Sequence, residues 1–194
     1  VAREEPLEIR VEGRSVAVVM RTPGHDEELA AGFLVSEGVV QQPRDILEVS
    51  QCPSTGNKHG NIVDVLLGGA VVNWDSLTRH VFSASSCGLC GVQRLADAVR
   101  PLPQVGEGRA LTHQAIQRAL DALSGTQTLG QLTRATHAAA FADGEGRILL
   151  SREDVGRHNA LDKLAGAMAA SGLDADSGFV LVTSRCSFEM IEKT

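Results

Sequence analysis

Two cysteines three residues apart, Cys87 and Cys90, sit in the run SASSCGLCGVQRLADAV at residues 83–99. Thiols at this spacing hold a metal, shuttle a disulfide or carry a sulfur atom. In each case the working species is the thiolate, which a helix N-terminus favours. Gly88 and Gly91 keep side-chain bulk away, so a reaction partner can approach closely, which suits sulfur transfer or thiol exchange. Structural zinc normally needs four ligands, and no second Cys/His pair lies near. The thioredoxin-type reading needs the motif after the first strand of a βαβ unit, whereas an antiparallel-looking N-terminal lobe precedes it here. The plain alternative, two small buried hydrophobes, fits poorly with four small residues around two thiols.

A second constellation is SREDVGRHNALDK, residues 151–163, which packs Arg152, Glu153, Asp154, Arg157, His158, Asn159, Asp162 and Lys163 into a strand-to-helix junction. Strand ends that feed helix N-termini are where α/β folds bind anions and nucleotides. Arg and Lys can hold phosphate there, while Asp and Asn can read a base edge or ribose. Capping explains Asp154 or Asn159 singly but not the whole density, so the junction is read as a pocket. Asp162 and Lys163 are the members that fit best as plain charges on the helix face. Strand FVLVTS runs into Arg185-Cys186-Ser187 at a further helix start, and THAAA (136–140) ends another element beside small residues. His137, Ser184 and Arg185 are therefore expected near the same crevice.

Several elements must position these groups. PLEIRVEGRSVAVVM reads as a β-hairpin turning at Glu12-Gly13-Arg14. TPGHDEELAAGFLVSEG reads as a helix with Asp26 as N-cap and Gly38 as its stop, with Leu29, Phe33 and Leu34 on one face. His25, Glu27 and Glu28 at its start fit a structural role equally well. Residues 41–61 read as loop, and NIVDVLL and RHVFSAS as strands, the second ending at the cysteine pair. RPLPQVGEGRA (100–110), with two prolines and two glycines, is the linker candidate that separates an N-terminal lobe (1–105) from a second lobe (110–194). The second lobe reads as helix (THQAIQRALDAL, capped by Thr112), strands THAAAFA and RILLS joined at Asp143-Gly144-Glu145-Gly146, helix NALDKLAGAMAASG, strand FVLVTS and a helix from SFEMIEKT. That α-β-β-α-β-α string points to a layered α/β lobe. A sheet that stops on a helix looks unfinished, so a C-terminal portion is expected beyond the sequence. Zinc deaminases share this order, with H-x-E at one helix start and P-C-x-x-C at the next. Here position 160 is Ala and position 189 is Glu, so the acid/base carboxylate and second thiolate of that chemistry are missing and no metal site is expected.

Composition sets the outer bounds. The 194 residues are 43% hydrophobic and 22% charged, with only 3% aromatic, so the core is aliphatic. The net charge is −6 with no Lys/Arg run, which argues against general nucleic-acid or anionic-membrane binding. No apolar run approaches a membrane span. Four cysteines, two isolated (Cys52 and Cys186) and two in the pair, are poor material for a disulfide framework and fit a reducing cytoplasm.

Together, EEPLEIRV, MRTPGHDEELAAGFLVSEG, SSCGLCG, THAAA, REDVGRHNALDK and TSRCSFEM resemble the FdhD/NarQ family, the formate dehydrogenase accessory sulfurtransferases, over nearly the whole chain. The resemblance implies a cytoplasmic homodimer with a cytidine-deaminase-like, three-layer α/β lobe on a mixed sheet. It implies that Cys87 and Cys90 take persulfide sulfur from a cysteine desulfurase. That sulfur would pass to the molybdenum cofactor, bis-molybdopterin guanine dinucleotide, bound as substrate before it enters formate dehydrogenase. GDP would mimic its nucleotide half. On this reading Asp154, Arg157, His158, Asn159 and Lys163 line the nucleotide pocket, with His137, Ser184 and Arg185 nearby. A cofactor chaperone that moves no sulfur is the alternative, and a deaminase-type zinc hydrolase a more distant one. One departure from the family is local: Arg134-Ala135 stand where two glycines usually precede THAAA.

Overall fold

The computed structural model describes residues 1–52, 60–69, 106, 108 and 110–194. The cysteine pair, the expected strand RHVFSAS and most of the expected linker lie outside the described residues. In the first part, strands β1 (Glu5–Val11) and β2 (Arg14–Arg21) form the expected hairpin. Its two-residue turn needs positive φ at both positions, and Glu12 (54°) and Gly13 (75°) supply it. Helix α1 (Asp26–Ser36) follows, then β3 (Ile46–Gln51) and β4 (Ile62–Leu67). The four strands make one sheet in the order β2-β1-β4-β3, in which only the β1–β4 pair is parallel.

Two local expectations change. The α1 N-cap is His25, in the left-handed region at φ 57°, and Asp26 lies one residue inside the helix. Residues 46–51 are a strand rather than loop, because β4 offers them a full antiparallel ladder. Leu7, Ile9 and Val11 of β1, Val63 and Val65 of β4, and Leu29 and Leu34 of α1 are fully buried in one cluster. The helix thus lies on the inner face of this sheet.

The second part holds α2 (His113–Thr126), α3 (Thr128–Thr133), β5 (His137–Asp143), β6 (Ile148–Asp154), α4 (Arg157–Ser171), β7 (Gly178–Val182) and α5 (Phe188–Lys193). Thr112 caps α2 as expected, its Oγ1 accepting from the Ala115 N–H at 3.1 Å. Gly172, at φ 64°, ends α4. The sheet order is β6-β5-β7, and both described pairings are antiparallel, so the parallel contact sits in the first sheet. Central β5 is sandwiched. Ala139 and Phe141 pack with Ala160, Leu161 and Leu164 of α4, while Ala140 and Ala142 pack with Ala119 and Leu123 of α2. Alanines between two helices bring both layers close to the strand, which gives the helix–sheet–helix sandwich of an α/β protein.

The two parts meet where α1 crosses α4, and here the backbones touch. A Cβ on Gly32 would collide with the Asp162 carbonyl, and one on Gly166 with the Glu28 carbonyl. Helix α4 is therefore covered on both sides, by the sheet and by α1. This explains why its sequence shows little amphipathic period. Among the described residues no helix is long and apolar enough to cross a membrane.

Candidate functional site

One edge of the second sheet collects the chemistry. β5 begins there beside the end of β6, with His137 opposite Asp154. β7 ends there, its following residue Thr183 donating its backbone N–H to the Ala138 carbonyl at 3.0 Å. Helices α4 and α5 both start from this edge. His137, Arg157, His158, Ser184 and Arg185 thereby fall along this edge, with Cys186 exposed between β7 and α5. Arg185 is exposed and His137 and Ser184 are half-buried.

Asp154, Asn159 and Lys163 lie behind this edge, in the interior, where their polar groups bind the protein itself. Asp154 is fully buried. Its Oδ2 accepts from the Thr22 N–H (2.9 Å) and pairs with Lys163 Nζ (2.7 Å), while its Oδ1 accepts from the Gly156 N–H (2.8 Å) and from Asn159 Nδ2 (3.1 Å). Lys163 also donates to the Thr22 carbonyl at 2.7 Å, and Asn159 to the Met20 carbonyl at 2.7 Å. The Val155 N–H donates to Thr22 Oγ1 at 3.0 Å. A buried carboxylate is tolerable only when paired and hydrogen-bonded, and this one has four donors. Asp162 and Lys163, expected as solvated helix-face charges, are 2% and 1% exposed. The correction follows from α1, which covers the face of α4 that carries them.

The same joint takes up the other motif block. Arg21, 1% exposed, holds Asp26 through Nε (2.9 Å) and Nη2 (2.7 Å), fixing the end of β2 to the start of α1. Glu28 receives both Nε and Nη2 of Arg152 from β6, so its role here is structural. Ser36 Oγ donates to Asp162 Oδ1 at 2.6 Å, and Lys193 Nζ reaches Asp162 (2.9 Å) and Glu37 (2.8 Å). Burial pushes the Asp162 carboxyl up. For Lys193 burial acts against the ammonium, but Asp162 and Glu37 outweigh it and hold the group above its ordinary range. Glu153 serves α3, accepting from the Leu129 (2.8 Å) and Gly130 (2.7 Å) N–H groups.

At the edge itself, Glu189 of α5 organises the start of α4. Its Oε1 accepts from Arg157 Nη2 (3.0 Å) and Ser187 Oγ (2.8 Å), and lies 3.4 Å from His158 Nε2. Burial works against ionisation of Glu189. Its own backbone N–H, Ser187 and Arg157 outweigh that and hold its carboxyl below the usual range. Burial lowers the His158 pKa, and the charges of Arg157 and Lys193 lower it further against the opposing pull of Asp162 and Glu189, which disfavours the imidazolium form. Sequence reasoning placed Arg157 and His158 here but missed Glu189 and Thr22, whose partners are remote in the chain. The spacing of Asn159 and Lys163, four apart on one helix face with Asp154 preceding, was the available signal for the buried cluster. Among the described residues no group of three His, Cys, Asp or Glu side chains is placed to hold a metal ion.

Comparison with known proteins gives this architecture a family. The "Sulfur carrier protein FdhD" of Bordetella petrii is 41% identical over 194 residues, spanning 100% of this chain and 69% of the relative. That of Variovorax paradoxus is 40% identical over 195 residues, with the same two coverages. That of Cupriavidus necator is 42% identical over 195 residues, covering 100% and 67%. The crystal structure of a protein from Desulfotalea psychrophila, described as a formate dehydrogenase accessory protein, superposes with a TM-score of 0.70 at 23% identity. It shares the fold over 100% of this chain and 69% of its own. The model of the FdhD/NarQ family matches residues 2–194, and this chain belongs to that family.

Proposed function

We propose that this chain is a sulfur carrier that receives persulfide sulfur from a cysteine desulfurase and delivers it to the molybdenum cofactor, bis-molybdopterin guanine dinucleotide, for formate dehydrogenase. The observation that carries the reading is the cysteine pair Cys87/Cys90 in a chain that is 41% identical, across all of its own 194 residues and 69% of the relative, to the Bordetella petrii protein named a sulfur carrier. In the loading step the Cys87 thiolate attacks the terminal sulfur of the donor persulfide, the donor S–S bond breaks and the donor thiolate leaves. In the release step the Cys90 thiolate attacks the inner sulfur of the Cys87 persulfide. Hydrosulfide is expelled toward the acceptor, and a thiol reductant reopens the Cys87–Cys90 disulfide that remains.

The nucleotide half of the cofactor is proposed to meet the edge that holds His137, Arg157, His158, Ser184 and Arg185. Asp154, Asn159 and Lys163 then support that edge from behind. Two measurements test the reading. Intact mass after incubation with a cysteine desulfurase and cysteine is expected to rise by one sulfur atom that a reductant removes. A Cys87→Ala, Cys90→Ala variant that gains the same mass overturns the carrier assignment. Formate dehydrogenase that reaches full activity with this variant favours a chaperone that moves no sulfur. GDP is expected to raise the thermal midpoint, as any ligand specific to the folded state does.

A further inference from the structure

The tautomer and charge of His158 decide which part of a ligand it can meet. Its Nε2 is buried, has no hydrogen-bond partner among the described residues, and lies 3.4 Å from Glu189 Oε1. A proton on Nε2 turns that contact into an attraction. A proton on Nδ1 instead leaves a buried nitrogen lone pair facing a part-buried carboxylate, which is repulsive. The side chain as a whole is 27% exposed, so part of it other than Nε2 is open to solvent. Which ring nitrogen carries the proton is set by what the other one meets.

We propose that Glu189 is a positioning residue that fixes His158 as the neutral Nε2–H tautomer, so that Nδ1 acts as an acceptor for the N1–H donor on the base edge of a bound guanine nucleotide. The assignment rests on the nucleotide reading given above and deepens it. Among the described residues, the charged groups that act on the imidazole are Arg157 and Asp162 on its own helix, and Glu189 and Lys193 on α5. The two cations and burial oppose a second proton, so His158 is not a cation for phosphate. A neutral acceptor repels phosphate oxygens, which are acceptors only, and matches the donor-bearing edge of guanine. Phosphate falls to the exposed Arg185 instead.

The tautomer is read by nitrogen-resolved NMR of the histidines in the whole chain, with His158→Gln identifying the His158 signals. The Nε2–H pattern is expected at pH 7, with a titration midpoint below the ordinary histidine value. In Glu189→Gln the midpoint is expected to fall further, because a carboxylate that favours imidazolium is gone. A dominant Nδ1–H form, or a charged His158 at pH 7, overturns the proposal. The acceptor role is read from binding to the wild type, which avoids any folding defect. N1-methyl-GDP keeps both phosphates but loses a base donor, and is expected to bind at least tenfold more weakly than GDP. Equal binding of the two overturns the acceptor assignment. If GDP itself does not bind, the nucleotide reading falls and takes the donor assignment with it. The NMR spectrum still decides the tautomer on its own.

Discussion

Replacing Lys163 by Met removes the only cation that pairs with Asp154 among the described residues while filling a similar volume. Asp154 is 0% exposed and Lys163 1%, with 2.7 Å between Nζ and Oδ2. The variant leaves a buried carboxylate with three neutral donors (the Thr22 and Gly156 N–H groups and Asn159 Nδ2) and orphans the Thr22 carbonyl that Lys163 also holds. Breaking a buried pair by removing one partner costs about 3–5 kcal/mol, whereas an exposed pair is worth about 0–1 kcal/mol. For a chain of this size that corresponds to a fall of roughly 6–20 °C in thermal midpoint. Urea denaturation of wild type, Lys163→Met, Asp154→Asn and the double variant gives the coupling directly. The double variant is expected to be more stable than Lys163→Met, because a neutral amide restores the balance of charge. A loss below about 1 kcal/mol in Lys163→Met would refute the claim that this pair is desolvated and structural.

Three further predictions follow from single positions. Arg134 ends α3 at φ 51°, in the left-handed region where the family's glycine would sit without strain. Arg134→Gly is expected to stabilise the protein by up to about 1 kcal/mol, read as a raised thermal midpoint. Gly166→Ala drives a methyl into the Glu28 carbonyl and must part α1 from α4. A net loss of about 1–3 kcal/mol is expected, against the helix-propensity gain that alanine brings elsewhere. His158 titrates below its ordinary pKa in the folded state, so its contribution is intact above about pH 6.5 and is lost as pH falls through that value toward the folded one. In His158→Gln that part of the acid-side slope disappears from denaturation curves taken between about pH 7 and 5.

What could be read from the sequence was local. The hairpin at Glu12-Gly13, the Thr112 cap, the Gly172 stop and the turn at Asp143–Gly146 each depend on a few adjacent residues whose backbone preferences decide the outcome. Strand β3 was not legible, because Ile46–Gln51 gains its identity from the β4 ladder and not from its own alternation. The gathering of His137, Arg157, His158, Ser184 and Arg185 followed from element order, since strand ends and helix starts must share an edge once the sheet forms. The burial of Asp154, Asp162 and Lys163 did not follow. It depends on α1, more than 120 residues earlier in the sequence, covering the outer face of α4.

The two densest motif blocks, MRTPGHDEELAAGFLVSEG and REDVGRHNALDK, are therefore halves of one joint. The first supplies Met20, Arg21, Thr22, Asp26, Glu28, Gly32 and Ser36. The second supplies Asp154, Asn159, Asp162 and Lys163. Apolar packing alone would hold two helices together with freedom to slide. Charges with fixed partners, and glycines that let carbonyls of one helix enter the other, admit a single register. Helix α5 extends that register to the edge, because its two ends are tied to different places. Lys193 is held by Asp162 and Glu37 in the joint, while Glu189 holds Arg157 and faces His158. A displacement of α1 against α4 would pull on Lys193, and through about one turn of helix on Glu189. The polar density that marks a pocket by its composition thus acts mainly at one remove, fixing where the edge residues stand.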